Sequence, residues 1–173
     1  MLATGKVVPN FGSFLPDSKH LLVDGHEPGH SARLYVMGLE GEQPRPISPE
    51  GFHLGPVAPD GKHLAAVSSE GIALVSVDGG ETQKLRGSQP GEIPLRWTKD
   101  GRVLFIGRRG ETACQVFRLD VETGTRTPWK TFNPPDLAGV TGVSCPRLAA
   151  DEEHYVYGYI RNLSDLFLVD HLR

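Results

Sequence analysis

The chain has 173 residues, of which 38% are hydrophobic, and its formal net charge is −3. This length can bury one substantial core, whereas the mixed acids and bases provide no basic patch of the kind that nucleic acid requires. No apolar run approaches the ~20 residues of a membrane-spanning helix. We therefore expect one domain that neither binds nucleic acid nor inserts into a membrane.

A short motif recurs four times along the chain: an apolar residue, two variable positions, an aspartate, glycine or a polar residue, lysine or a polar residue, a variable position, and an apolar run. Its aspartates are Asp17, Asp60, Asp100 and Asp151. They are roughly 40 to 50 residues apart, close to the length of a four-stranded propeller blade. Asp-Gly between two β-like segments is a strong hairpin signal, so these aspartates are predicted to have a structural role in turns.

Each turn is followed by a strand, a loop and a third strand rich in β-branched and aromatic residues. The predicted third strands are 33–37, 72–77, 115–119 and 165–169. A short fourth strand follows the first three of them. The fourth copy has no room for one, whereas residues 4–9 at the other end resemble an isolated fourth strand that could close the ring.

These elements predict an all-β fold of the β-propeller type, with about four four-stranded antiparallel blades in a single domain over residues 1–173. The predicted blades cover approximately 11–48, 55–87, 93–130 and 140–173, with 4–9 as a closing strand. Four blades are at the low end of the propeller range. A closed ring, an open half propeller and a homodimer that completes a larger ring all remain open, and the last two are favoured.

The turn sequences carry a family resemblance. Pro59-Asp60-Gly61-Lys62 resembles the TolB-like propeller repeat, and 16–19 is a near match. The third copy keeps Asp-Gly-Arg, and the fourth keeps only Asp151. The segment 155–169 resembles the closing segment of TolB-like regions attached to bacterial serine/threonine protein kinases, notably those of acidobacteria. The resemblance implies a non-catalytic, extracytoplasmic or regulatory module without the kinase, whose own motifs are absent from the chain.

Two other features have residue types that occur in functional sites. His26-Glu27-Pro28-Gly29-His30 matches H-E-x-x-H, but proline and glycine in its centre prevent the helix that a metalloprotease zinc site needs, so it is predicted to be a solvated loop. Cys114 and Cys145 are expected to be buried free thiols. We therefore predict no catalytic, cofactor-binding or metal-binding residue and no cofactor.

Arg96 and Arg147 occupy equivalent positions, each four residues before its repeat aspartate. Both lie on predicted inner strands, near the opening of a propeller channel. The favoured interpretation is a salt bridge between blades to a repeat aspartate. The alternative is a pair that contacts an anion at the channel mouth.

The sequence favours a non-catalytic protein-interaction or sensor module of a bacterial signalling protein, which binds a protein or peptide through loops on one propeller face. One alternative is the accessory propeller of a larger peptidase. Another is an enzyme that acts on a small molecule in the channel, which clustered and pKa-shifted side chains would support. The compartment would be extracytoplasmic or periplasmic for a piece of a longer parent, and cytoplasmic for a full-length chain.

Overall fold

The computed structural model describes residues 4–164 and consists of antiparallel sheets. Fifteen strands are present in this range, and no helix is. The described part accordingly contains no helix that could cross a membrane. The predicted all-β class is confirmed.

The first blade is a four-stranded sheet whose strands lie side by side in chain order. Its strands are β1 (Val8–Phe14), β2 (His20–His26), β3 (Arg33–Gly38) and β4 (Arg45–Pro46). Residues 4–9 do not form a separate strand, because Val8 and Pro9 begin β1 and pair with β2, and a turn precedes them. Residues 8 and 9 are thus part of the inner strand, and the closing of the ring by 4–9 stays a prediction, because the third strand predicted for the last blade lies outside the described residues.

The second blade has three regular strands, and two isolated bridges occupy its inner position. The strands are β5 (His63–Ser68), β6 (Gly71–Ser76) and β7 (Gln83–Lys84). His53 bridges to Val67 and Val57 to Leu64, so the segment before the turn lies along β5 without becoming a continuous strand. Gly55 and Pro56 lie between the two bridges.

The third blade is a complete four-stranded sheet, and the described part of the fourth blade consists of two short pairs of strands. The third contains β8 (Glu92–Trp97), β9 (Val103–Arg109), β10 (Cys114–Asp120) and β11 (Arg126–Phe132), in that spatial order. In the fourth, β12 (Val140–Val143) pairs with β15 (Tyr159–Arg161), and β13 (Arg147–Leu148) pairs with β14 (Tyr155–Val156). The third strand predicted at 165–169 lies outside the described residues. The dimer-completed ring stays a prediction, which light scattering would test.

All four repeat turns share one backbone conformation. The residue after each aspartate has a positive φ: 56° at Ser18, 69° at Gly61, 72° at Gly101 and 62° at Glu152. In each turn, the amide of this residue donates a hydrogen bond to the carbonyl three positions earlier, as Glu152 does to Ala149. The fourth copy therefore retains the turn, although it has lost the Pro-Asp-Gly sequence.

The core lies between the blades. Leu64 and Ala66 of β5 pack with Leu22 and Leu34 of the first blade, whereas Ala65 packs with the third blade. This alternation follows from the two-residue period of a strand, which sends successive side chains to opposite faces. Burial on both sides therefore fixes the register of the middle strands.

A disulfide joins the third and fourth blades. Cys114, the first residue of β10, is bonded to Cys145 of the fourth blade, with their Cα atoms 5.2 Å apart. The prediction of free thiols is therefore wrong. The sequence did not reveal the pair because the two cysteines belong to different blades, and only blade-to-blade packing brings them within disulfide range.

Candidate functional site

A cleft of about 770 Å³ opens between the inner strands of the third and fourth blades. Residues 93–96 of β8 form one wall, and residues 144–148 form the other. Arg96, Arg109 and Arg147 all line it, and none of the described residues that line it is acidic. The two arginines singled out from the sequence therefore meet in one cleft, together with a third.

Arg96 reaches across the boundary between the blades. It lies on β8 opposite Phe105, next to a bulge in the strand pairing. Its guanidinium group is partly buried and donates a hydrogen bond of 3.2 Å to the carbonyl of Leu148 in the fourth blade. This contact is with a neutral group, and within residues 4–164 the guanidinium group of Arg96 forms no salt bridge.

Arg147 and Arg109 are exposed at the cleft. Arg147 belongs to β13, and Arg109 ends β9, where it lies opposite Cys114. Among residues 4–164, neither Arg96 nor Arg147 forms a salt bridge with a repeat aspartate, which was the favoured interpretation. Arg96 donates to the carbonyl of Leu148 instead, and the repeat aspartates accept hydrogen bonds within their own turns.

Sequence reasoning missed Arg109. It occupies the far end of the second strand of its blade and has no counterpart in the repeat alignment. A pair of adjacent arginines, Arg108 and Arg109, was the available signal. Only the packing of the fourth blade on the third shows which of the two faces the cleft: Arg109 lines it, whereas Arg108 donates to Gln89.

The arrangement can bind an anion. Three arginines line the cleft, and none of the described residues that line it is acidic, so a local positive potential is expected there, strengthened by the low-dielectric walls of a cleft. A guanidinium group offers paired N–H donors that match carboxylate and phosphate oxygens. Tyr157, Pro94 and Val156 line the same cleft and could contact the apolar part of a ligand.

The repeat aspartates organise turns rather than the cleft. Asp17 accepts hydrogen bonds from the amides of Lys19 and His20, and its second oxygen lies 2.6 Å from Nδ1 of His20. Asp60 with His63 and Asp151 with His154 repeat this geometry at 2.8 and 2.7 Å. The imidazole of His20 and the amide of Lys19 lower the pKa of Asp17 to about 2.

The fourth turn behaves in the same way. The amide and the imidazole of His154 lower the pKa of Asp151 to about 2. In the third turn the histidine is replaced by Val103, and the hydroxyl of Thr98 donates to Asp100 at 2.6 Å instead. The recurring Asp-x-x-His spacing was visible in the sequence but was not recognised as part of the repeat.

The H-E-x-x-H segment contains no helix, because the chain leaves β2 at His26 and continues as a loop. Glu27 pairs with Arg33 at 2.8 Å, and His30 contacts Glu50 at 2.8 Å. Within residues 4–164, no group of three or more histidine, cysteine, aspartate or glutamate side chains could hold a metal ion.

The fold has close counterparts among solved structures. A protein described as a TolB from Agrobacterium tumefaciens superposes with a TM-score of 0.71 at 15% identity, over 92% of this chain and 58% of that one. TolB from Acinetobacter baumannii gives 0.62 at 18% identity, over 90% and 44%. The chain has the TolB-like β-propeller fold. An oligogalacturonate lyase from Vibrio parahaemolyticus shares this TolB-like fold, with a TM-score of 0.67 at 14% identity over 93% and 49% of the two chains.

The TolB-like propeller described here spans about half the length of these neighbours. No family model and no curated protein sequence matches it. At such low identities the neighbours establish the fold alone, and they include both TolB proteins and a lyase. The likeness to the propeller region of acidobacterial kinases stays a prediction.

Proposed function

We propose that the chain is a non-catalytic interaction module that binds an acidic segment of a protein or peptide in the arginine cleft. The observation that carries the proposal is the meeting of Arg96, Arg109 and Arg147 in one cleft without an acidic neighbour among the described lining residues. Like charges held together repel one another, so this arrangement costs folding energy that an anionic ligand would offset.

The volume of the cleft suits a short peptide segment. Its volume of about 770 Å³ is within the range of ligand sites, and it is open to solvent along the inner edge of two blades. Proline, tyrosine and valine line the cleft together with the arginines, so a peptide could place carboxylates on the cations and its backbone against the apolar residues. A signalling context, as in the kinase-attached propellers, is part of the same proposal.

Binding of fluorescein-labelled hexaglutamate, measured by fluorescence anisotropy, tests the proposal. We expect saturable binding to the wild type that weakens as salt rises from 50 to 200 mM, because screening reduces contacts between charges. Exchanging both Arg96 and Arg147 for alanine should weaken binding by at least about tenfold, since each charge-assisted contact contributes about 1.5–3 kcal/mol.

A matched control changes the net charge by the same amount as the Arg96→Ala/Arg147→Ala variant. Arg86 and Arg102 are exposed and do not line the cleft, so their double exchange for alanine also removes two positive charges. This control should bind hexaglutamate almost as the wild type does. If the Arg96→Ala/Arg147→Ala variant binds as well as the wild type but is less stable, the arginines have a structural role and the proposal is wrong.

An enzyme acting on a small molecule in the channel is the competing function, and two neighbours are described as a lyase and a gluconolactonase. Carboxyl groups with shifted pKa values at the channel mouth would support an enzymatic function. The lowered carboxyl pKa values in the described residues belong to turn and loop side chains with local hydrogen-bond partners, such as Asp17 with His20 and Glu27 with Arg33. These shifts do not favour an enzyme. The accessory-peptidase alternative would be tested by the sequence of a longer parent.

A further inference from the structure

The disulfide and the arginine cleft are parts of one structural unit. Cys145 lines the cleft between Ser144 and Pro146, two residues before Arg147. Cys114 lies directly opposite Arg109 in the pairing of β9 with β10. The Cys114–Cys145 bond therefore connects the segment that carries Arg147 with the strand pair that carries Arg109.

We propose, on the basis of the proposed anion-binding function, that the Cys114–Cys145 disulfide positions these arginines and makes binding dependent on its oxidation. Without the bond, charge repulsion would move the 144–147 segment away from β8 and β9. The positively charged cleft is complete only when the bond is formed. Cys114 and Cys145 act as positioning residues, because they hold the arginines rather than contact the ligand.

Close packing makes the segment sensitive to the bond. Gly107 of β9 lies beneath Cys145, and a Cβ atom at Gly107 would be 2.9 Å from Sγ of Cys145. Cys114 is fully buried, whereas Cys145 is partly exposed at the cleft. A thiol reagent therefore reaches the bond through Cys145, from the side on which the ligand would bind.

The fourth blade has other contacts that would keep it in place after reduction. The hydroxyl of Tyr157 donates to the carbonyl of Asn133 at 2.9 Å, and Lys130 donates to the hydroxyl of Tyr155 at 3.0 Å. The rings of Phe132 and Tyr155 pack edge to face with their centroids 4.8 Å apart. The expected effect of reduction is therefore a local rearrangement of the cleft and not the loss of the blade.

A dithiol can reduce the Cys114–Cys145 bond in two exchange steps. One thiolate of the dithiol attacks Sγ of Cys145, the sulfur–sulfur bond breaks, and the sulfur of Cys114 leaves and takes up a proton. The second thiol of the reductant then displaces Cys145 from the mixed disulfide. The products are two protein thiols and the oxidised, cyclic dithiol. Structural disulfides persist in oxidising compartments, so the binding-competent form would be the one present there.

The test compares hexaglutamate binding by the full chain in its oxidised form, after equilibration with dithiothreitol, and after reoxidation. We expect reduction to weaken binding by about tenfold and reoxidation to restore it. The Cys114→Ser/Cys145→Ser variant should match the reduced protein. Far-UV circular dichroism should show that the sheets remain intact in all forms.

A reciprocal measurement separates positioning from a purely structural bond. If the oxidised form binds the anion more tightly, thermodynamic linkage requires saturating hexaglutamate to make the disulfide harder to reduce by the same factor. We expect this protection in the wild type and its loss in the Arg96→Ala/Arg147→Ala variant. This readout remains usable if the serine variant fails to fold.

The binding measurements distinguish a failure of the redox inference from a failure of the proposed function. Equal binding by the oxidised and reduced proteins would overturn the redox inference and leave the proposed function standing. No binding by the oxidised protein would overturn the proposed function, and the inference with it. Unfolding of the whole chain on reduction would show that the bond is a general staple, which also overturns the positioning role.

Discussion

Glu152 adopts the same left-handed backbone conformation as Gly61, with φ values of 62° and 69° at equivalent positions of the fourth and second turns. Glycine adopts this conformation without steric cost, whereas a residue with a Cβ atom is strained by about 1 kcal/mol or more. The fourth blade therefore retains the repeat turn with a less suitable residue than the second and third blades have.

Replacing Glu152 with glycine should stabilise the chain by up to about 1 kcal/mol, which corresponds to a rise of about 2–4 °C in Tm for a protein of this size. Little is lost with the side chain, because its ion pair with Arg118 is long at 3.9 Å and partly solvated. Thermal unfolding followed by circular dichroism measures the effect. The control is Glu153→Gly, at a position with negative φ, which should not stabilise; an equal rise in both variants would contradict the explanation.

The pH dependence of stability should reflect the aspartate turns. The pKa values of Asp17 and Asp151 are lowered to about 2 in the folded protein, from 3.8. A carboxyl group with a depressed folded pKa stabilises the fold above its unfolded pKa, and this contribution is lost as pH falls from about 4 towards 2. The Asp17→Asn/Asp151→Asn variant should therefore lose less stability than the wild type over that interval.

Measurements of Tm at pH 5, 4, 3 and 2.5 would show the difference as a shallower decline in the variant. Asp78→Asn serves as the control, because Asp78 is exposed and lies outside the repeat turns. The control should follow the wild-type curve. Parallel curves for the double variant and the wild type would contradict a role of these two carboxylates in acid unfolding.

The features that could be predicted from the sequence are those that depend on residues close together along the chain. The turns were predictable because the Asp-centred hydrogen bonds join residues two and three positions apart, such as Asp17 with Lys19 and His20. Arg96 and Arg147 could be placed on inner strands because they occupy the same position in two repeats. The Cys114–Cys145 bond and the contribution of Arg109 depend on how one blade packs on the next, and the repeat pattern does not encode that packing.

Gly55 illustrates a second constraint that the repeat pattern did not reveal. It lies between the two bridges of the second blade, and a Cβ atom there would collide with the backbone carbonyl of Ala65 and lie 2.8 Å from Cγ of Pro94. A side chain there would force the segment away from β5 of its own blade and from Pro94 of the third blade. Gly55→Ala should therefore lower the free energy of unfolding by about 1–3 kcal/mol, as overpacking does in well-packed interiors.

Chemical denaturation with urea would measure this loss. Gly142→Ala is the matched control, since a Cβ atom at Gly142 meets no atom within 4 Å and Gly142 has no positive φ. It should change stability by less than about 0.5 kcal/mol, as is usual for sites without tight contacts. If Gly55→Ala were equally mild, the contacts of Gly55 with Ala65 and with Pro94 would have to be looser than the structure shows.

Glu92 and Arg126 form an ion pair within the third blade, in which the carboxylate is buried and the arginine is partly exposed. The carboxylate is fully buried, lies 2.7 Å from the guanidinium group, and accepts a second hydrogen bond from the amide of Gln89. The guanidinium group also lies over the ring of Phe117, 4.3 Å from its centroid. Removing the cation would leave an uncompensated charge in the interior.

Arg126→Met, which keeps most of the aliphatic stem, should therefore destabilise the chain by about 3–5 kcal/mol. Adding Glu92→Leu removes the unpaired carboxylate, and the double variant should be more stable than Arg126→Met alone. Urea unfolding of the two single variants and the double variant gives the coupling energy. A loss below about 1 kcal/mol in Arg126→Met would be typical of an exposed ion pair and would contradict the burial of Glu92.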